Sequence, residues 1–314
     1  TLTRTLITGT SPYSMAVGLF NADTRLDVAV ANFGADSVGT FLANTTGGFA
    51  SQVTRSSGLG PRSLATADLN KDGKLDLIVG QAEISNAGEA AVLTGDGLGG
   101  FTVQPLVHTG PRPNVLVTGD FNRDGNVDVA ALSLTGDTVS ILQNLGPPLF
   151  VDANKITLPG GAFPNDVGVA DFNGDGKLDV VSPNEGADNI SMTFGDGQCG
   201  FGSVNSSNIT GSTPIKIVVA DFNRDGCPDL VTANNLGNSL SYLQNNCAAS
   251  FVNTSLPAGC VGPEDVSSGD INGDLDTDIA VVCGSSSQLC TRRGTGTGSF
   301  GVPVCTALPD VPGG

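Results

Sequence analysis

The sequence has no tryptophan, a single histidine and two methionines. It also lacks any run of about 18 apolar residues, the length a membrane-spanning helix needs, so we expect no membrane insertion. The one histidine, His108, is better explained by a surface or packing role than by catalysis, because no serine–histidine–aspartate set can be built around it. The absence of tryptophan removes the largest aromatic platform for stacking a sugar ring.

Basic residues and glutamate are scarce as well. Lys and Arg number 14 against 31 Asp and Glu, which gives a formal net charge of −17. Because binding to phosphates needs basic surfaces, we exclude nucleic acid as a partner. Nearly all of the acidic residues are aspartate, and this preference for the short carboxylate is typical of turns that bind calcium.

A repeat of about fifty residues runs through the chain, and three markers define it. The first is a nine-residue loop rich in Asp and Asn, found at 19–27, 68–76, 120–128, 171–179, 221–229 and 270–278. The second is a proline seven residues before each loop: Pro12, Pro61, Pro113, Pro164, Pro214 and Pro263. The third is a phenylalanine that closes a Gly/Asn-rich turn in each unit: Phe49, Phe101, Phe150, Phe201, Phe251 and Phe300. Three markers that agree six times establish an internal repeat.

Each unit reads as four short strands. In the third unit, β-branched and alternating runs occupy 114–119, 127–133, 138–144 and 150–158, with turn residues between them and no competing helical period. Four strands in about fifty residues make one propeller blade. The sequence therefore predicts an all-β fold, a six-bladed β-propeller of four-stranded antiparallel blades, with the Asp/Asn loop between the first and second strands of most blades.

The prediction treats residues 1–314 as one propeller domain. Its repeats cover approximately 10–58, 59–110, 111–160, 161–211, 212–260 and 261–311. Segment 1–9 and segment 300–308 both resemble a fourth strand, so either can supply the outer strand of the last blade. In one interpretation the N-terminal strand closes the ring, which would remove exposed sheet edges.

The DxNxDGxxD loops, each followed by a strand and a Gly-rich turn that ends in Phe, resemble FG-GAP/VCBS repeats, which occur in integrin α-chain propellers and in bacterial secreted or surface proteins. The resemblance covers nearly the whole chain. It implies a calcium-binding β-propeller that is secreted or displayed at the cell surface. It does not imply one activity, because relatives include adhesion heads, lectins and carbohydrate-active enzymes.

In such a loop the side chains at positions 1, 3, 5 and 9 and the carbonyl at position 7 would supply the hard oxygens that calcium prefers, at roughly 2.3–2.6 Å. Four loops are complete, and the sixth has Leu275 where position 6 carries Gly in the complete loops. The first loop lacks the position-1 Asp, so we expect it to be weak or empty, with only Asn21, Asp23 and Asp27. About five Ca²⁺ ions are therefore expected, and Mg²⁺ fits less well because it keeps its waters.

The predicted side-chain ligands are Asp68, Asn70, Asp72 and Asp76; Asp120, Asn122, Asp124 and Asp128; Asp171, Asn173, Asp175 and Asp179; Asp221, Asn223, Asp225 and Asp229; and Asp270, Asn272, Asp274 and Asp278, with carbonyls from Lys74, Asn126, Lys177, Cys227 and Asp276. The alternative for all of these residues is turn capping without metal.

The loops and the Phe-closed turns are expected on one face. The opposite face carries the more variable connections, at 33–37, 82–88, 184–188 and 235–238, and variable loops on a rigid scaffold are the usual place for binding. Phe33 and Phe163 are candidate ligand contacts there, whereas Phe121, Phe172 and Phe222 at loop position 2 are expected to pack between blades.

All seven cysteines lie between Cys199 and Cys305, which indicates an oxidising compartment. In the sixth unit the pairs 260–283 and 290–305 are possible, and Cys199, Cys227 and Cys247 hold one further pair among them.

Function follows less directly. The leading hypothesis is a binding or adhesion module without enzymatic activity that presents its loops to a protein or glycan. One alternative is a lectin with repeated glycan sites, and another is a polysaccharide-active enzyme such as a lyase. A glycan array separates the first two, because a lectin would show several equivalent weak sites.

Overall fold

The computed structural model describes residues 6–81, 88–133, 135–146, 149–159, 162–207 and 210–308. Over these residues the chain forms 25 strands and two single-turn 3₁₀ helices, at Phe33–Ala35 and Glu185–Ala187. The strands make six antiparallel sheets whose neighbours follow chain order. The fold is therefore the predicted all-β six-bladed propeller. No helix in the described part of the chain is long and apolar enough to cross a membrane.

The chain divides into two compact units. The first comprises Thr1–Thr157 with Gln198–Gly200 and contains three blades. Blade one has β1 (Pro12–Gly18), β2 (Asp27–Asn32), β3 (Ser37–Phe41) and β4 (Val53–Ser56); blade two has β5 (Pro61–Ala67), β6 (Asp76–Gln81), β7 (Glu89–Gly95), β8 (Phe101–Val103) and β9 (Val107–His108); blade three has β10 (Pro113–Gly119), β11 (Asp128–Ser133), β12 (Thr138–Asn144) and β13 (Phe150–Thr157). Strands β8 and β9 both pair with β7, so the outer strand of blade two is split in two.

The second unit comprises Leu158–Gly197 and Phe201–Gly314 and contains the other three blades. Blade four has β14 (Gly168–Ala170), β15 (Asp179–Asn184), β16 (Asn189–Thr193) and β17 (Asn205–Ser207); blade five has β18 (Pro214–Ala220), β19 (Asp229–Asn234), β20 (Ser239–Asn245) and β21 (Phe251–Pro257); blade six has β22 (Pro263–Gly269), β23 (Asp278–Cys283), β24 (Gln288–Arg292) and β25 (Val304–Ala307). Strand β25 pairs with β24 as the fourth strand of blade six. Residues 1–5 lie outside the described residues, so closure by the N-terminal segment and the single-domain boundaries stay predictions.

The second strand of each blade follows directly after its Asp/Asn loop and is mostly buried. Strands β6, β11, β15 and β19 are buried at every position, which agrees with their runs of Val, Leu, Ile and Ala. Each core cluster collects apolar residues from successive blades: in the first unit Phe20 and Val38 of blade one pack with Leu77 and Leu93 of blade two. In the second unit, Phe222 and Val231 pack with Ile279 and Val281 in the same way. Stability therefore comes from the interfaces between neighbouring blades, as in other repeat folds.

The first strand of five blades contains a β-bulge at the same place. The pairing register shifts between the marker proline and the second residue after it, which leaves the residue between them as the extra one. Bulges re-aim a side chain and are common next to functional sites. We call these extra residues the bulge residues: Tyr13, Arg62, Asn114, Ile215 and Glu264. They lie at the end of each first strand that is opposite the Asp/Asn loop.

Three disulfides join Cys227 to Cys247, Cys260 to Cys283 and Cys290 to Cys305, all within the second unit. The two pairs predicted for the sixth blade are thereby confirmed, as is a pair among the first three cysteines. Cys199 is buried, and its Sγ lies 3.8 Å from Oδ2 of Asp128.

Candidate metal centres

The aspartate at position 9 of every loop is buried and has the same two partners. Its Oδ2 accepts the backbone N–H of loop position 2, and its Oδ1 accepts an N–H at or just after the end of the third strand of the same blade. For Asp76 these donors are Leu69, at 3.0 Å, and Gly95, at 2.8 Å. The other members of the set are Asp27, Asp128, Asp179, Asp229 and Asp278, each at most 1% exposed. Position 9 therefore ties three segments of a blade together even in the first loop, which lacks the position-1 aspartate.

The side chains at positions 1, 3 and 5 fold back onto their own loop. In the fourth loop Asp171 accepts the N–H groups of Asp175, at 3.1 Å, and Gly176, at 2.6 Å. Asn173 accepts the N–H of Asp175 at 2.9 Å, and Asp175 accepts the N–H of Lys177 at 3.0 Å. The second, third, fifth and sixth loops repeat these bonds. The turn thus holds the oxygens of all three predicted side chains in fixed orientations.

Two left-handed residues give each complete loop its bend. Position 6 has φ of +82° at Gly176, a conformation that glycine adopts without steric cost. Leu275 takes the same conformation with φ of +70°, which strains a residue with a Cβ. Position 4 is also left-handed, at Lys71, Arg123 and Arg224 with φ near +60°, and sequence reasoning missed this. The signal was the glycine at that position in the fourth and sixth loops, Gly174 and Gly273.

Burial and neighbouring negative charge act on the position-9 aspartates. Burial raises the pKa of Asp76, Asp128, Asp179 and Asp229, and hydrogen bonds from backbone N–H groups oppose part of that rise. The carboxylates at loop positions 1 and 5 raise the pKa of Asp76 further. At the rim of the sixth loop the opposite holds, because the N–H of Leu275 lowers the pKa of Asp270. A divalent cation beside such a set would relieve both the buried charge and the mutual repulsion.

The donor chemistry of the complete loops fits calcium. Carboxylate and amide oxygens are hard ligands, and no sulfur or imidazole belongs to the predicted sets. Within the described residues, however, the three carboxylates of a complete loop are not gathered within 4.8 Å of one another. A bound ion would therefore have to draw positions 1, 5 and 9 together, which couples metal binding to ordering of the loop.

The first loop offers a cation fewer carboxylates than the others. Asn21 and Asp23 keep their turn bonds, but the Arg25 guanidinium forms an ion pair with Asp23. The Arg25 Nε also donates to the carbonyl of Ala43 at 3.2 Å. The side chain at position 7 thus pairs with the one rim carboxylate of this loop. Lys74 and Lys177 form the same pair in the second and fourth loops, but those loops keep a second rim carboxylate at position 1.

Within each compact unit a loop also joins its blade to the following one through position 2. The position-2 side chain is buried at Phe20, Leu69, Phe121, Phe172 and Phe222, as predicted for the three phenylalanines named above. Its carbonyl accepts a hydrogen bond from the following blade, for example from Gly99 N–H to Phe20 at 2.8 Å and from Ala249 N–H to Phe172 at 2.9 Å. Ordering of a loop therefore acts directly on the interface between two blades.

The fifth loop carries two further links. The disulfide from Cys227, at position 7, fixes the loop to the turn that contains Cys247, and the Asp225 carboxylate lies within 4.8 Å of both sulfurs. Arg224, at position 4, forms a 2.8 Å ion pair with Asp276 of the sixth loop. Neither contact could be read from the repeat, because each depends on the side chain of one copy.

On the opposite face the variable connections differ in form. Residues 33–35 and 185–187 form the two 3₁₀ helices, and most of the connection at 82–88 lies outside the described residues. Phe163 is 60% exposed. Phe33 is half-buried and packs near Tyr13, with ring centroids 6.3 Å apart.

Solved structures with similar folds come from several organisms. A protein from Lactobacillus plantarum is 14% identical with a TM-score of 0.71, covering 97% of this chain and 87% of that one. Periplasmic gluconolactonase PpgL of Pseudomonas aeruginosa is 16% identical with a TM-score of 0.66, covering 97% and 87%. Virginiamycin B lyase of Staphylococcus aureus is 12% identical with a TM-score of 0.61, covering 96% and 86%. At these identities the likeness is one of fold.

These structures correct one expectation. The prediction that the chain is not an enzyme is wrong, because similar propellers include a lyase and a gluconolactonase. The sequence argument relied on the single histidine, and a shortage of histidine does not exclude chemistry by other side chains on this scaffold.

A search of the curated proteins found no match. A model of the FG-GAP-like repeat, in contrast, matches residues 20–79, 120–182, 175–232 and 221–281, which together make up well over half of the chain. Three of the four matches begin at or just after the start of a nine-residue loop. Each of these three covers the rest of that blade and extends into the second strand of the next. The chain belongs to the FG-GAP-like repeat family.

Proposed function

We propose that this chain is a calcium-stabilised propeller that works outside the cytoplasm and binds a protein or glycan ligand. The observation that carries the calcium part is the buried position-9 aspartate next to an exposed turn lined by two more carboxylates, repeated in the second to sixth loops. The ligands of the ion would be the side chains at positions 1, 3, 5 and 9 and the carbonyl at position 7. Calcium supplies positive charge there, and the residues of the chain supply the orientation.

Stabilisation would follow from the position of these loops. Because position 2 bonds to the next blade and packs in the core between blades, an ordered loop holds two blades in place. An ion that binds only the folded loop shifts the folding equilibrium by mass action. About five ions would also bring the formal charge of −17 close to −7, which reduces self-repulsion.

An extracellular or periplasmic location is supported by the three disulfides, because such bonds persist in oxidising compartments. Calcium at millimolar levels is also typical of extracellular modules. We therefore propose that the protein is secreted or displayed at the cell surface, where both disulfides and calcium binding are favoured.

Ligand binding is proposed on the face opposite the aspartate loops. The bulge residues and the connections between second and third strands lie at that end of the blades. Rigid strands below and variable segments above are the arrangement on which binding sites are usually built.

A glycan-binding lectin is the second candidate, and one pocket favours it. In the second unit a cavity of about 300 Å³ has Met192, Phe194 and Phe251 as apolar walls. Asn205 and Ser250 add polar atoms, and none of the described residues that line it is charged. An uncharged ring with hydroxyl groups, such as a neutral monosaccharide, matches that lining.

Calcium dependence is tested by titrating chelator-treated protein with Ca²⁺ and, separately, Mg²⁺, while following the melting temperature and the heat of binding. We expect about five Ca²⁺ per chain and a rise in melting temperature that Mg²⁺ does not reproduce. Asp171→Ala should lose part of the rise, whereas Asp152→Ala, which changes an exposed aspartate in β13, should keep it. An unchanged melting temperature across the titration would contradict the proposal.

A further inference from the structure

The bulge residues of the three blades in the first unit form a chain of contacts, in which the residue of blade two contacts those of blades one and three. The guanidinium carbon of Arg62 lies 4.6 Å from the centroid of the Tyr13 ring, and Nη1 of Arg62 lies 3.4 Å from Oδ1 of Asn114. The same guanidinium lies 5.5 Å from the centroid of Phe33. The bulge turns each of these side chains out of the strand pairing, so the repeated backbone feature gathers side chains from three blades.

The charge of Arg62 is only partly compensated. Its Nε is buried and has no hydrogen-bond partner among the described residues. Its one hydrogen bond in the described part of the chain is the long one to Asn114, and it takes part in none of the ion pairs found there. A half-buried guanidinium that makes one hydrogen bond attracts an anion, because charge-assisted hydrogen bonds are about twice as strong as neutral ones.

The bulge residues that flank Arg62 are neutral although the protein is acidic, and Asp36 forms no ion pair with Arg62 among the described residues. The neighbouring bulge residues, Tyr13 and Asn114, carry no charge. Asp36, which lies in the connection after Phe33, has its Oδ1 engaged by the N–H of Gly60 at 2.8 Å. In the second unit the corresponding strand ends carry Asp166, Glu264 and Asp265 instead. Acidic residues are therefore absent from the bulge position and the residue after it in the first three blades.

The geometry points to Arg62 as a receptor for a carboxylate group, with Tyr13 and Phe33 as its aromatic walls and Asn114 as a further polar contact. The planar guanidinium matches a carboxylate in shape, and stacking on two rings holds it in one orientation. This site has one arginine, and the chain around it has a net charge of −17. The site therefore suits a ligand with one negative charge rather than a polyanion.

We assign the ligand to the class of sugars that carry one carboxylate, a uronic acid residue within a glycan. The Tyr13 side chain is 54% exposed, so its ring can pack against the C–H groups of a pyranose while Arg62 holds the carboxylate. A peptide C-terminus is the less suitable source, because proteins capture it with successive backbone N–H groups, and Arg62 offers a side chain. The assignment rests on the ligand-binding face proposed above but not on calcium.

The test compares two probes that differ only at the carboxylate, phenyl β-D-glucuronide and phenyl β-D-glucoside, by NMR titration of calcium-loaded protein. We expect the glucuronide to bind at least about tenfold more tightly than the glucoside. Arg62→Gln should weaken glucuronide binding by a similar factor, and Tyr13→Ala should weaken it less. Arg112→Gln, which removes an exposed positive charge beside the next bulge, is the matched control and should change affinity less than about twofold.

Arg62→Lys provides a second variant that keeps the positive charge but loses the paired N–H donors of the guanidinium. We expect it to bind the glucuronide as weakly as Arg62→Gln. Equal affinity for both probes, or unchanged affinity in Arg62→Gln with an unchanged melting temperature, would overturn the inference. If a peptide with a free C-terminus binds while its C-terminal amide and the glucuronide do not, the sugar assignment is overturned. The calcium titration is measured on the same samples, so loss of the metal effect is distinguished from loss of this site.

Discussion

The Tyr242 hydroxyl donates a 2.9 Å hydrogen bond to Oδ2 of Asp229, the ninth residue of the fifth loop. Both side chains are buried, at 1% and 0% exposure. Burial, and then the bond to Asp229, raise the pKa of Tyr242, so the hydroxyl remains a donor throughout the ordinary pH range. The fifth loop thus has a third support for its position-9 carboxylate in addition to the two backbone donors.

We predict that Tyr242→Phe destabilises the protein by about 1.5–3 kcal/mol, the usual contribution of a hydrogen bond to a charged group. The ring keeps its edge contacts with Phe222 and Phe300, so packing changes little. The measurement is the free energy of unfolding in urea. Tyr13→Phe is the control, because its exposed hydroxyl has no hydrogen-bond partner among the described residues, and a change below about 0.5 kcal/mol is expected. Equal losses in the two variants would contradict the role of the Tyr242 hydroxyl.

The repeat was readable from sequence because the nine-residue Asp/Asn turns need particular residues at fixed spacing. The four strands predicted for the third unit, 114–119 to 150–158, agree within one residue at each end with β10 to β13. Position 6 was predictable for the same reason, since only glycine takes the left-handed conformation without cost.

Contacts between blades could not be predicted in the same way. Arg62 and Asn114 are 52 residues apart, and their contact depends on a one-residue register shift for which the local sequence has no signal. The structural role of the position-9 aspartate was also missed, because its partners lie seven residues before it and, in the fourth blade, 16 residues after it. The sequence marked this residue as a ligand and gave no sign of its backbone partners.

Leu275→Gly is predicted to stabilise the sixth loop and to increase its calcium affinity. Leu275 has a left-handed backbone and is 80% exposed, so glycine removes strain and loses little packing. The expected gain in folding free energy is about 0.5–1 kcal/mol, after the larger chain entropy of glycine is subtracted.

Leu236→Gly is the matched control, since this leucine is 73% exposed and is not among the residues with positive φ. It should lower stability by a similar amount. Thermal unfolding with and without calcium separates the two variants, and a loss of stability in Leu275→Gly would refute the strain argument.

Asp166 provides a test of pH dependence away from the loops. Its carboxylate accepts the N–H groups of Val167 and Ile217, each at 3.0 Å, and its Oδ1 lies 3.8 Å from Nζ of Lys216. Burial raises the pKa of Asp166, Lys216 lowers it, and Asp265 adds to the rise. Because the folded state holds this proton more tightly than the unfolded state, its contribution to stability is present below the unfolded pKa and is lost as the pH rises through the folded pKa.

We therefore predict that the stability of the native protein relative to Asp166→Asn falls as the pH is raised from about 3 to about 7. Lys216→Met should enlarge this fall, because the buried carboxylate loses its cation. At pH 7 we expect that variant to lose about 1–2 kcal/mol, less than for a fully buried pair, since the Lys216 side chain is one-third exposed. Unfolding free energies measured across this range decide the point, and parallel curves for the native protein and Asp166→Asn would show that Asp166 has an ordinary pKa.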